Sequence, residues 1–243
     1  MKKIQSVLIS VFNKEGIDEL CKAFHKNQIK IISTGGTKKY IESLNIPVVS
    51  VESITDYPSI LGGRVKTLHP KIFGGLLNRE TVLSDKEDLE RHNISKIDMI
   101  IVDLYPFKET IKSNKSEEDV IEKIDIGGVS LIRAAAKNFS QVLVISSRAQ
   151  YQNVLSYLNK LNFSSDIKYR KEMAFQAFSH VLKYDEDIEE FFGKSTGIYK
   201  KLRYGENPHQ QAIFKGDLNK IFEQLHGKEL RSEEHTSELQ SPC

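Results

Sequence analysis

Residues 6–37 read SVLISVFNKEGIDELCKAFHKNQIKIISTGGT, and this stretch decides the fold class. It opens with a short β-branched apolar run, Ser6 to Phe12, which is typical of a buried strand. Apolar residues then recur at helical spacing from Ile17 to Phe24, before a second apolar run from Ile29 to Ser33. Strand, helix and strand at such short spacing predict an α/β fold, in which a parallel sheet carries helices on both faces.

The same alternation continues along the chain. Further strands are predicted at Ile46 to Val51, Ile97 to Val102 and Val142 to Ser146. Residues 56–75 are rich in glycine and proline and lack periodicity, so we expect a functional loop there. Helices are predicted over residues 37–44, 84–93, 116–124, 129–138, 151–161 and 166–192.

Composition excludes several classes of protein. The chain has 243 residues with 35 Lys and Arg against 33 Asp and Glu, so its net charge of +2 does not favour a nucleic-acid partner. Its two cysteines, Cys21 and Cys243, cannot form a disulfide framework or a zinc site. No signal peptide and no run of about 20 apolar residues is visible, so we expect a cytoplasmic protein with no membrane partner.

Two glycine-rich segments have the composition of anion-binding loops. GGRVKTLHPK (62–71) places an arginine, a lysine and a threonine after a Gly-Gly pair, and STGGT (33–37) follows the second predicted strand. Cationic side chains and glycine backbone N–H groups together suit an anion. A Gly-Gly pair alone is more often a simple turn. Two such loops in one domain favour a phosphorylated small molecule as the ligand.

The loops that follow parallel strands meet at one edge of a sheet. Lys14 follows the first strand and STGGT the second, so both would hold phosphate, with Arg64 or Thr67 as further contacts. A helix starting near Thr37 would add free N–H groups and the positive end of its dipole. We therefore expect the ligand site at the carboxyl edge of the sheet.

Three side chains allow both a structural and a catalytic interpretation. Asp125 and Lys137 flank a predicted helix, where they suit an N-cap and a dipole partner, or form a proton-transfer pair if both reach the pocket. Tyr105 follows a buried strand, either as a core aromatic or as a hydroxyl donor. His69 and His209 stand beside prolines without a neighbouring base or metal cluster, so we do not expect them to be catalytic.

Six segments occur in one order: SVFNKEG, STGGT, GGRVKTLHPKIFGGLL, DLYPF, DIGG with SLIRAAAKN, and KLRYGENPHQ. Together they resemble the N-terminal half of the bifunctional purine biosynthesis proteins, which join an IMP cyclohydrolase domain to an AICAR transformylase domain. The resemblance implies a methylglyoxal-synthase-like domain at 1–196 and the start of a truncated transformylase domain at 197–230. Residues 231–243 resemble a translated sequencing adapter, and a native disordered tail is the alternative.

This resemblance implies that 5-formamido-AICAR ribotide closes to IMP with loss of water. The cyclohydrolase reaction would need no cofactor and no metal, whereas the missing transformylase activity would use 10-formyltetrahydrofolate. The partner is then a small-molecule nucleotide, and the parent protein would be a homodimer. Formyl transfer is not expected from this chain.

The resemblance also implies the site residues. The catalytic set would be Lys66, Tyr105, Asp125 and Lys137, and Arg203 and Tyr204 would remain from the transformylase substrate site. Two positions depart from many relatives, which show asparagine at Asp103 and serine at Phe12; we expect Asp103 to face the base or ribose. The implied substrate-binding residues are Phe12, Asn13, Lys14, Thr34, Gly35, Gly36, Thr37, Arg64, Val65, Lys66, Thr67, Val102, Asp103, Asp125, Ile126 and Gly127.

Three other interpretations compete with this one. The first is a non-catalytic regulatory module that binds a phosphorylated ligand, as the same fold does in carbamoyl phosphate synthetase; it would not need Lys66, Asp125 and Lys137 together. The second is methylglyoxal synthase, whose aspartate and histidine pattern is not found here. The third is an inert fragment whose truncation exposes apolar surface.

Overall fold

The computed structural model describes residues 1–113, 116–202, 212–217 and 220–221. Arg203, Tyr204, His209 and the 231–243 tail lie outside the described residues. The chain divides into two compact units, Met1–Tyr184 and Asp185–Cys243. The predicted boundary at 196/197 stays a prediction. Among the described residues, no helix has the length and apolarity to cross a bilayer.

A five-stranded parallel sheet forms the centre of the first unit, in the order β4-β3-β2-β5-β6. The central strand β2 pairs with β3 on one side (Val7 opposite Ile31) and with β5 on the other (Val7 opposite Met99). The predicted α/β fold with a parallel sheet is confirmed. The strands are β1 Lys2–Lys3, β2 Ser6–Ser10, β3 Lys30–Ser33, β4 Val49–Ser50, β5 Met99–Val102, β6 Leu143–Ile145, β7 Ser164–Ser165, β8 Lys200–Leu202 and β9 Ala212–Phe214.

Amphipathic helices bury their apolar faces against this sheet. In α1 the four apolar residues predicted for one face, between Ile17 and Phe24, are all buried, and α8 buries a run from Ala134 to Ala136. The helices are α1 Ile17–Lys26, α2 Gly35–Ser43, α3 Val51–Thr55, α4 Pro70–Leu77, α5 Leu83–Arg91, α6 Phe107–Lys112, α7 Glu117–Ile121, α8 Gly127–Lys137, α9 Tyr151–Lys160 and α10 Ile167–Ser195.

Several segments differ from the sequence prediction, among them the unpredicted helix α6, and two of the differences lie near the carboxyl edge of the sheet. The strand predicted at 46–51 is only two residues long, because the Ser50 hydroxyl accepts from the Ser53 N–H at 3.0 Å and starts α3. Helix α4 occupies the end of the predicted loop at 56–75. His69 Nδ1 caps it by accepting from the Lys71 N–H at 3.1 Å, and Pro70 is its first residue. Proline is well suited to that first position, so the sequence did carry a signal for this helix.

Hydroxyl groups tie together the loops at the carboxyl edge of the sheet. Ser33 Oγ donates to the Ile9 carbonyl at 2.7 Å, and Thr37 Oγ1 donates to the Val11 carbonyl at 2.9 Å. Thr37 Oγ1 also accepts from the Val11 N–H at 3.2 Å. All of these groups are buried or half-buried, so the loop after β2 and the start of α2 are held together.

A buried arginine fastens α10 to the loops below it. Arg170 is 4% exposed, and its guanidinium donates to the carbonyls of Phe139 (2.8 Å), Ser140 (2.9 Å) and Ser165 (2.6 Å). We expect Arg170→Met to lower the free energy of unfolding by about 3 kcal/mol, because these carbonyls lose charged donors. Urea unfolding of the variant and of the unmodified chain measures the difference in the free energy of unfolding. The exposed Lys171→Met on the same helix is the control, and an equal small loss in both variants would contradict the prediction.

Candidate active site

A cleft of about 520 Å³ lies at the carboxyl edge of the sheet. The loops after β2, β3 and β5, the turn at 62–67 and the start of α8 form its walls. Three of the four predicted catalytic residues line it. The lining residues that the sequence predicted are Phe12, Lys14, Thr34, Gly36, Thr37, Arg64, Lys66, Thr67, Asp103, Tyr105, Asp125, Ile126 and Gly127.

Some predicted site residues do not line the cleft, and other residues were missed. Val102 is buried in β5, and Val65 forms a bridge with Ile60. Those not lining the cleft are Asn13, Gly35, Val65, Val102 and Lys137. Gly62 and Gly63, from the predicted anion-binding loop, also line the cleft; the lining residues absent from the predicted site are Ser10, Val11, Ile121, Glu122, Ile124 and Gly128.

The N-terminus of α2 forms one end of the cleft and suits an anion. Its N-cap, Thr34, makes no side-chain cap bond, and the first turn holds no acidic residue. A Cβ built on Gly36 would stand 3.9 Å from Lys14 Nζ, and one built on Gly35 would stand 3.5 Å from Lys66 Nζ. Two ammonium groups therefore flank the free N–H groups of a helix start, which is the arrangement that binds phosphate.

Asp125 is both a helix cap and a cleft residue. Its Oδ1 accepts from the Gly128 N–H at 2.7 Å, so the capping interpretation is confirmed. Burial raises the pKa of this carboxyl, while the Gly128 bond and the charge of Lys66 oppose the rise. The carboxylate is thus poised to take up a proton more readily than an exposed aspartate.

Tyr184 on α10 holds the backbone beside Asp125. Its hydroxyl accepts from the Asp125 N–H at 2.8 Å and donates to the Lys123 carbonyl at 2.9 Å. Tyr184 is 7% exposed, and its ring meets Phe107 edge to face at 6.0 Å between centroids. The Tyr184 hydroxyl therefore bonds the backbone on both sides of Ile124 and holds the segment that carries Asp125.

Tyr105 is a cleft residue rather than a core aromatic. It is half-buried, and its ring meets Phe12 at 5.1 Å between centroids with an interplanar angle of 61°. Burial raises the pKa of its hydroxyl, and the negative charges of Asp125 and Glu122 add to the rise. The hydroxyl therefore keeps its proton and can donate a hydrogen bond.

Asp103 holds the loop that follows β2. Its carboxylate accepts from the backbone N–H groups of Phe12 and Asn13, the latter at 3.0 Å. Burial raises its pKa, while those two bonds and the charge of Lys14 oppose the rise. The carboxylate lines the cleft, and both of its oxygens accept from the loop; that it faces the base or ribose stays a prediction.

Arg64, a predicted phosphate contact, is paired in this structure with Glu122. The guanidinium donates through both Nε (3.2 Å to Oε1) and Nη2 to the carboxylate, and this pairing lowers the pKa of Glu122. Both side chains are exposed and both line the cleft. An anionic ligand would have to compete with Glu122 for this arginine.

Removing the charge of Glu122 should leave Arg64 available to an anionic ligand. We expect Glu122→Gln to tighten the binding of ribose 5-phosphate by up to about fivefold, since the released Arg64 can contact the phosphate and an exposed ion pair competes only weakly. Isothermal titration measures the affinity. Asp88→Asn is the control, because it removes the same charge from an exposed pair with Arg91 (3.6 Å) on α5. Unchanged or weaker binding by Glu122→Gln would contradict the prediction.

Lys137 lies away from the cleft. It is exposed and ends α8, ten residues after Gly127, which corresponds to about 15 Å along the helix axis. Its position in the last turn suits the dipole-partner interpretation. The structure therefore does not bring Lys137 and Asp125 together.

Of the two histidines that the sequence analysis considered, one caps a helix and the other lies outside the described residues. His69 caps α4, and His209 is not described. No group of three or more His, Cys, Asp or Glu side chains that could hold a metal occurs in the part of the chain that the structure describes.

Comparison with known proteins places the chain in a family. A family model described as MGS-like domain matches residues 16–130, and one described as AICARFT/IMPCHase bienzyme matches residues 135–233. The bifunctional purine biosynthesis protein PurH of Bacteroides thetaiotaomicron is 48% identical over 94% of this chain and 47% of its own length. PurH of Aquifex aeolicus is 44% identical over 92% of this chain and 47% of its own length.

A solved structure agrees with the sequence matches. The crystal structure of ForH is 28% identical, with a TM-score of 0.67 over 78% of this chain and 100% of that chain. The two family models confirm a methylglyoxal-synthase-like domain together with a fragment of the AICARFT/IMPCHase bienzyme. The chain belongs to the family of bifunctional purine biosynthesis proteins, and it spans about half the length of the curated relatives that it matches.

Proposed function

We propose that this chain is an IMP cyclohydrolase, which closes 5-formamido-AICAR ribotide to IMP. One observation carries the proposal: the cleft combines a phosphate-binding helix start with a half-buried carboxyl, Asp125. Lys66 acts on both ends, because its ammonium lies near Gly35 and its charge acts on Asp125. A nucleotide whose phosphate meets α2 would place its base toward Asp125 and Tyr105.

The reaction is an intramolecular condensation. The carboxamide nitrogen attacks the formyl carbon and forms a carbon–nitrogen bond. The carbon–oxygen bond then breaks, and the former formyl oxygen leaves as water with one proton from the carboxamide nitrogen and one from the formamide nitrogen. Both reacting groups belong to one molecule, so the protein has mainly to fix their relative orientation. An amide nitrogen is a poor nucleophile, so the site must also remove a proton and stabilise the developing oxyanion.

The cleft residues supply these functions. Asp125, with its raised pKa, would accept the proton from the carboxamide nitrogen and return it to the leaving oxygen. Lys66 would stabilise the oxyanion, and the Tyr105 hydroxyl, which keeps its proton, would donate a hydrogen bond to the same oxygen. These three residues need no metal or cofactor for the steps described.

Lys137 stays in the proposed catalytic set on the resemblance alone. Because it lies outside the cleft of this chain, Lys137→Met is an informative test. A loss of turnover of about a hundredfold, the size of a proton-transfer contribution, would keep Lys137 in the set. Turnover like that of the unmodified chain would remove it and leave Lys66, Tyr105 and Asp125.

A non-catalytic regulatory module is the second candidate. The engagement of two cleft carboxylates with backbone favours it, since Asp125 accepts from Gly128 and Asp103 from Phe12 and Asn13. Such a module would bind IMP and leave the formamido compound unchanged. Binding and turnover measured on one sample therefore separate the two functions.

For the parent protein we propose both activities of the family, with 10-formyltetrahydrofolate as the transformylase cofactor, and a homodimeric state. From this chain, which spans about half of its relatives, we propose no formyl transfer. An assay of folate-dependent formyl transfer tests this, and turnover above background would refute it. Sedimentation equilibrium of the full-length parent protein tests the homodimeric state.

The proposed activity is tested by ultraviolet absorbance. The 243-residue chain is mixed with 5-formamido-AICAR ribotide in the absence of folate and metal, and IMP formation is followed. We expect catalysed ring closure above the uncatalysed rate. A sample that unfolds cooperatively on heating, and so is folded, yet shows no catalysis would refute the proposal.

A further inference from the structure

Phe12 is a large aromatic side chain exposed inside the cleft. The residue is 46% exposed and lines the cleft near the start of the loop after β2. Ligand sites use exposed apolar side chains of this kind to cover the planar or apolar parts of a ligand. The anion-binding end of the cleft needs no such ring, so Phe12 requires a different explanation.

Hydrogen bonds hold the backbone of Phe12, and a contact with Tyr105 holds its ring. Asp103 accepts from the Phe12 and Asn13 N–H groups, and Lys14 Nζ donates to the Phe12 carbonyl at 2.6 Å. The ring then meets Tyr105 edge to face. These bonds hold the backbone of Phe12, and rotation of the ring out of the cleft would break its contact with Tyr105, so the ring forms one wall of the cleft.

This wall lies between the two ends of the proposed nucleotide. The Phe12 carbonyl accepts from Lys14, which lies at the phosphate end of the cleft. The Phe12 ring contacts Tyr105, which lies at the other end, where the charge of Asp125 raises the pKa of the Tyr105 hydroxyl. Lys123 Nζ lies over the Tyr105 ring at 5.2 Å from the centroid. Lys14 Nζ likewise lies 6.0 Å from the centroid of the Phe12 ring. Phe12 is the more open of the two rings because it is exposed, whereas Tyr105 is half-buried.

We infer that Phe12 stacks on the planar base of the nucleotide and so selects a complete nucleotide over a bare sugar phosphate. The inference rests on the proposed function, because it takes IMP and its precursor as the ligands. Stacking of a base on an aromatic side chain is tolerant of the base's substituents, so the same ring serves substrate and product. Phe12 is a specificity-determining residue, and the chemistry belongs to its neighbours.

The test compares two ligands by isothermal titration of the full chain. We expect Phe12→Ser to weaken IMP binding by about fivefold or more, while ribose 5-phosphate binding changes by less than about twofold. Phe12→Tyr should keep the affinity for IMP, because it keeps the ring. Phe175→Ser is the control, since Phe175 is 72% exposed on α10 outside the cleft.

The outcomes separate this inference from the proposed function. If the unmodified chain forms IMP and Phe12→Ser weakens both ligands equally or neither, the inference fails and the proposed function stands. If the unmodified chain neither binds IMP nor closes the ring, both fail. A loss confined to IMP, restored by tyrosine, supports the stacking role.

Discussion

Asp125→Asn should lower the rate of ring closure by about a hundredfold or more, which is the contribution of a positioned proton acceptor. Asparagine cannot take up the proton from the carboxamide nitrogen. It does cap helices as well as aspartate, so the bond from the Gly128 N–H is kept. The substitution therefore removes the proposed chemistry and leaves the local fold in place.

The pH dependence of the rate gives a second observable for Asp125. A carboxylate acting as base must be ionised, and burial raises its pKa above the ordinary 3.8. Activity of the unmodified chain should therefore fall as the pH is lowered through that raised pKa. Asp125→Asn should lose this acidic limb altogether.

Thermal stability, measured for Asp125→Asn and for the cap-removing variant Asp125→Ala, is the control for a loss of fold. Thermal unfolding of Asp125→Asn should stay near that of the unmodified chain, whereas Asp125→Ala should lose about 1 kcal/mol with the helix cap. If Asp125→Asn kept full activity and the same acidic limb, Asp125 would be a cap alone and the proposed mechanism would be wrong.

Lys66→Met should weaken nucleotide binding and lower the rate together, by about a hundredfold in kcat/KM. Its ammonium serves the phosphate end beside Gly35 and also acts on Asp125. Because that positive charge lowers the pKa of Asp125, its removal should raise this pKa further. The acidic limb of the rate should then move to higher pH.

A matched lysine separates this local effect from net charge. Lys39→Met removes the same charge from an exposed position on α2 that does not line the cleft. We expect it to change kcat/KM by less than about twofold, since exposed charges away from a site are screened. Equal losses in the two variants, or an unshifted acidic limb in Lys66→Met, would contradict the role of Lys66.

The sheet and most of the cleft could be predicted because local patterns determine them. The apolar run in β2 and the helical spacing in α1 fix one strand-helix-strand unit, and the carboxyl ends of parallel strands must then meet. Lys14, Thr37 and Asp125 follow from that rule and from their motifs.

The remainder depends on contacts that sequence spacing does not reveal. Glu122 pairs with Arg64 across 58 residues, and Asp103 accepts from a loop some 90 residues away. The sequence leaves open a proton-transfer pair of Lys137 and Asp125, and the resemblance implies both in the catalytic set, whereas the length of α8 separates them. The edge-to-face contact of Phe12 with Tyr105 is likewise a tertiary contact with no local signal.

A crystal structure of the chain with IMP tests the central claim most directly, because that claim is about where the nucleotide lies. We predict phosphate oxygens bonded to the α2 N-terminus at Gly36 and Thr37 and to the ammonium of Lys14. The base should lie against the Phe12 ring and point toward Asp125. A phosphate beside Asp125, or a nucleotide bound outside this cleft, would contradict the account.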